Sequence, residues 1–96
     1  MLDLKAVFER HDDEYSSFER VENKASGRRD LCAFLLLDRL APLEGRGIIA
    51  AAEHDEIWLD VDIETLAANA TEDDILMLVR CGVRFDDMNE SLEMFV

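Results

Sequence analysis

Apolar side chains recur at Leu4, Val7, Phe8, Tyr15, Phe18 and Val21, with His11 on the same stripe. Steps of three and four are the α-helical period. Residues 2–22 therefore read as one amphipathic helix of about five turns, with Asp12-Asp13 as the point where it would break. Residues 23–30 are polar around Gly27 and read as a turn. Asp30 is placed to cap a second helix, Leu31–Leu40, which is apolar on most sides and is expected to be largely buried. Pro42 ends it, and the segment to Gly47 is a loop.

The pattern then changes. Ile48–Glu53 and Glu56–Val61 frame His54-Asp55 as a β-hairpin. In the second strand Ile57, Leu59 and Val61 alternate with Glu56, Trp58, Asp60 and Asp62, a period of two that separates two faces. The first strand is ambiguous, because Ala50-Ala51-Ala52 suits a helix as well, and residues 48–53 stay open between strand and helix. Asp62–Ala70 reads as a short helix. Thr71 caps another, with Glu72, Asp73 and Asp74 in its first turn and Gly82 just past its end. Val83–Asp86 and Leu92–Val96 form a second hairpin. This order predicts an α+β fold: a small two-layer domain, with a three- to four-stranded antiparallel sheet of two hairpins packed on helices.

With 96 residues the chain fits one domain, residues 1–96, and one small core. Charge alters the picture more than length does. Lys+Arg 10 against Asp+Glu 23 gives −13. Residues 1–46 hold ten acids and eight bases, whereas residues 47–96 hold thirteen acids against Arg80 and Arg84 alone. Such an excess of carboxylates works against direct nucleic-acid binding and against anionic membrane surfaces, and favours a basic protein partner. The apolar runs are far shorter than the ~18 residues a membrane span needs. No basic flank followed by an apolar stretch opens the chain, so no secretory signal is read, and a cytoplasmic setting is expected. In that setting Cys32 and Cys81 are expected as free buried thiols.

The sharpest candidate site is the second face of the sheet. If Ile57 and Leu59 face the helices, Trp58 projects away among Glu56, Asp60 and Asp62, and Glu93 and Phe95 join it from the last strand. Aromatics rimmed by charge are the composition of an interface anchor. Burial of this face in a homodimer, or beneath a helix of the same chain, are the alternatives. His11 and His54 each lie among acids, and a divalent metal held by both with nearby carboxylates would suit a small metal-dependent enzyme. The spacing argues against it, since neighbours on a helix do not share a face. Asp60 and Asp62 could share a proton or a metal on one strand face, but Asp62 also stands where an N-cap is needed. No phosphate loop, nucleophile elbow, zinc-protease motif or Cys pair of metal-binding spacing occurs, so no catalytic residue, metal or cofactor is assigned.

Across Ala51–Asp60, Val79–Asp86 and Ser91–Phe95 the chain resembles uncharacterised small acidic proteins of bacteriophages and prophages. The resemblance implies a phage or bacterial cytoplasmic setting and no catalytic residue. The leading expectation is a non-enzymatic acidic module that docks on a basic, nucleic-acid-binding protein, presenting carboxylates where phosphates would sit, through Glu56, Trp58, Asp60, Asp62, Glu93 and Phe95. A homo-oligomeric assembly protein is the first alternative, and the His11/His54 metal enzyme the second.

Overall fold

The computed structural model describes residues 1–95. Four α-helices, α1 (Leu4–Arg10), α2 (Arg29–Leu40), α3 (Ile63–Asn69) and α4 (Glu72–Arg80), pack on one antiparallel sheet. Its strands are β1 (Ile49–Glu53), β2 (Glu56–Leu59), β3 (Val83–Asp86) and β4 (Ser91–Phe95), in the spatial order β1-β2-β4-β3. The two hairpins meet where β2 pairs with β4. The expected α+β two-layer domain is therefore present, at the four-stranded end of the expected range. Of residues 48–53, Ile49–Glu53 form a strand. Pairing with β2 overrides the helical preference of the alanines, and His54 adopts φ 53 to close a tight turn.

The core forms between the helices and one sheet face. Ile57 and Leu59 from β2, Leu92 and Met94 from β4 and Val83 from β3 meet Leu37, Leu66, Ile75, Leu78 and Val79 from the helices. Phe8 of α1 packs against Phe85 of β3 with ring centroids 6.0 Å apart. The alternation expected for β2 and β4 is thus the one observed, and Val96 lies outside the described residues.

Local chemistry explains the helix ends. At α4, Thr71 Oγ1 accepts from the Asp74 N–H at 3.2 Å while the Asp74 carboxylate accepts from the Thr71 N–H at 2.9 Å. This reciprocal capping box satisfies two donors that the first turn would otherwise leave open. Gly82 ends the helix at φ 95. At α3, Asp62 is the N-cap, accepting from Glu64 and Thr65.

Three expectations need correction. The long N-terminal helix stops at Arg10, and the chain continues through two 3-10 turns at Asp12–Glu14 and Phe18–Arg20. Ser16 at φ 63 breaks the helical path, and its N–H donates to the Val79 carbonyl of α4 at 3.0 Å. Glu14 then holds both Arg20, at 2.6 Å, and Arg80, at 2.9 Å, which ties these turns to the end of α4. The apolar residues of this segment still face the core, because successive 3-10 turns meet the same period almost as well as a helix does. Asp30 does not cap α2. The helix begins at Arg29, two residues before the expected start, and the Asp30 carboxylate accepts from the adjacent Leu31 N–H. Nor is α2 buried all round, since Leu31 and Leu35 are exposed.

Candidate functional site

The outer face of the sheet gathers four of the six expected contact residues. The register sets Glu53, Glu56 and Phe95 in one row across β1, β2 and β4. The next row on the same face is Ala51, Trp58, Glu93 and Arg84. Asp86 pairs with Ser91 one step further on. Trp58, Glu56 and Glu93 are half-buried, and Phe95 is 37% exposed. Aromatic surface and carboxylates thus share a face whose reverse side is the core.

Trp58 is held rather than free. Its indole Nε1–H donates to Asp86 Oδ2 at 2.9 Å, across two strands. Asp86 also accepts from the Asn89 side chain at 2.6 Å and from the Met88 N–H at 3.1 Å. These bonds, led by Asn89 and then Trp58, hold the Asp86 carboxyl below the ordinary carboxylate range. The pair fixes the indole plane on the surface, and an anchor already ordered loses less entropy on binding.

Glu93 has the opposite environment. Partial burial, then hydrogen bonding and repulsion from Glu56 and repulsion from Asp86, push its pKa up to about 7. Glu56 and Glu93 sit on adjacent strands, and neither takes part in an ion pair among the described residues. Arg84 faces Glu93 in register, yet its guanidinium lies over the Tyr15 ring at 5.6 Å and the Phe95 ring at 5.9 Å. Like charges beside one another on a sheet are destabilising, so a cation brought to this spot would relieve a cost the free protein carries.

Two expected residues lie off this face. Asp60 follows the end of β2, where its carboxylate accepts from Arg46 Nη2 at 2.8 Å and its N–H donates to the Ile48 carbonyl. Asp62 is committed to capping α3. The carboxylate pair read from their spacing is therefore spent on local structure. Arg84, Asp86 and Glu53 take their place. The period of two along β3 already turns Arg84 and Asp86 outward once Val83 and Phe85 face inward, whereas the place of Glu53 and the adjacency of all three to Trp58 and Glu93 depend on strand order and register.

The metal alternative is not assembled. His11 sits at the end of α1 with Nε2 3.6 Å from Glu72 Oε1, while His54 is exposed in the β1–β2 turn. Among the described residues no three His, Cys, Asp or Glu side chains cluster as ligands would. A groove of about 780 Å³ between α2, α4 and residues 21–25 is lined in part by Cys32, Leu35, Met77 and Cys81. Both thiols are free and buried, as expected. Burial, aided by the neighbouring Cys32, pushes Cys81 up to about 12, so its sulfur stays protonated near neutral pH and is a poor nucleophile. No helix of the described residues is long and apolar enough to cross a membrane.

Comparison of the chain with protein families, with curated proteins and with solved structures finds no match.

Proposed function

We propose that this protein is a non-enzymatic acidic interaction module that docks on a basic protein partner through the outer face of its sheet. The single observation that carries the reading is the pairing of a pre-set aromatic anchor, Trp58 bonded to Asp86, with the adjacent carboxyls of Glu56 and Glu93. These carboxyls have no cationic partner among the described residues, and an approaching cation would draw Glu93 to its ionised form. The anchor supplies apolar contact area, and the carboxylates supply attraction and register for Lys or Arg side chains. A net charge of −13 extends that attraction over a longer range and makes association fast and salt-sensitive. A nucleic-acid-binding protein fits this chemistry, because its phosphate-reading surface is already cationic. The phage or prophage resemblance directs the search to bacterial lysates and a cytoplasmic setting.

The test is affinity capture from nuclease-treated bacterial lysate with the wild-type chain and with a Trp58→Ala/Glu93→Lys variant, eluted by a salt step and identified by mass spectrometry. The expected result is a basic protein retained by the wild type, released by moderate salt and lost with the variant. Capture of nothing basic, or equal capture by the variant, contradicts the proposal.

A further inference from the structure

The two edges of the sheet are finished differently. At one edge β3 is packed by α1 and α4. At the other, all five residues of β1 are exposed, and the strand packs chiefly on β2. An edge strand leaves a row of backbone N–H and C=O groups without strand partners. Natural edges are guarded by lysine, proline, an inward-pointing charge or a β-bulge, and of these Ile49-Ala50-Ala51-Ala52 carries only a bulge-like shift at its start. Its one irregularity is a register shift between Ile49 and Ala51, which leaves Ala51–Glu53 in regular pairing. Small side chains at Ala50, Ala51 and Ala52 let another backbone approach from the open side.

Charge identifies what fits there. On the outer face Glu53 ends the row that continues to Glu56, and Glu93 lies diagonally beyond. The Glu53–Glu56 pair sets two carboxylates directly across from each other. The one cation of these rows, Arg84, lies on β3 at the far edge. An added strand with Lys or Arg at alternate positions would set those cations on the outer face beside Glu53, within reach of Glu56. Its intervening residues would face the inner side.

We propose that β1 is a strand-addition site, at which an extended segment of the partner with basic residues at every second position extends the sheet. This rests on the docking function proposed above and specifies how the partner is held: backbone hydrogen bonds along β1 give affinity, and carboxylate–cation contacts on the outer face give selectivity. A second copy of this chain fits less well, because pairing β1 with itself adds acidic residues to an acidic edge.

The full-length isotope-labelled chain is titrated at low salt with a short alternating Lys–Thr peptide and with the same peptide N-methylated at alternate residues, followed by amide chemical shifts and hydrogen exchange. The expected result is slowed exchange confined to Ile49–Glu53, binding about tenfold weaker for the N-methylated peptide, and several-fold weaker binding by Glu53→Lys. Glu53 is exposed, so that variant folds. Equal binding of both peptides, with shifts around Trp58 and none in β1, overturns strand addition and leaves the docking reading standing. Binding of neither peptide counts against both. Protection of β1 in the free protein, with a concentration-dependent mass, overturns it in favour of self-pairing.

Discussion

Residues 92–95 lead alternately to the two faces of the sheet, and the faces have different fates. Leu92 and Met94 are fully buried against the helices, while Glu93 and Phe95 stand on the other side among carboxylates and aromatic rings. The inner face meets the ordinary demand of a small domain, which must bury apolar area to offset chain entropy. The outer face retains features that lower stability, neighbouring carboxylates and an exposed phenylalanine, while Arg84 is drawn over the Tyr15 and Phe95 rings and away from Glu93. The contrast teaches that stability and recognition are divided between alternate residues of the same strands.

If that division holds, Leu92→Ala should lower unfolding free energy by about 2–5 kcal/mol, because a fully buried leucine is replaced by a cavity. Chemical denaturation measures this, and a loss below about 1 kcal/mol would place Leu92 outside the core. Gly82→Ala should cost about 1–2 kcal/mol through its left-handed backbone at φ +95. Its new Cβ would also stand 2.9 Å from Arg29 Nη1, displacing a side chain that donates to the Phe95 carbonyl and to Ser16 Oγ. Thr71→Ala should cost about 1 kcal/mol by opening the capping box of α4, and Thr71→Ser should restore most of it.

On the outer face the sign reverses. Glu93 has a raised pKa in the folded state, so folding takes up a proton between the ordinary glutamate value of 4.5 and about 7. Wild-type stability contributed by this group is present below pH 4.5 and is lost as pH rises to about 7. Glu93→Gln removes that loss. Thermal melts of the two proteins should coincide near pH 4 and separate with rising pH, the variant melting higher at pH 8. A variant that melts lower at pH 8 would contradict the account.

Much of this division is legible from residue order, because a period of two along a strand assigns faces without knowledge of its neighbours. Ile57 and Leu59 against Glu56 and Trp58, and Leu92 and Met94 against Glu93 and Phe95, are such cases. The α4 cap is legible for a similar reason: Thr71 and Asp74 act within one turn. What fails is what depends on distant partners. Tyr15, Phe18 and Val21 continue a helical period, yet the chain there runs through two short 3-10 turns, Asp12–Glu14 and Phe18–Arg20, that Glu14 ties to Arg20 and Arg80. Asp60 and Asp62 share a strand-like spacing with Trp58, yet Arg46 and the first turn of α3 claim them. The Trp58–Asp86 bond spans 28 residues, and no local pattern announces it.

Glu93 and Met94 are adjacent, so they offer the most direct test of the central claim. Glu93→Lys and Met94→Ala are each compared with the wild type for melting temperature and, at a temperature where all three are folded, for retention of the salt-released basic partner. Met94→Ala should melt lower and keep the partner, and Glu93→Lys should melt no lower and lose it. Retention by Glu93→Lys equal to wild type, with melting unchanged, would show that the outer face is not where the partner binds.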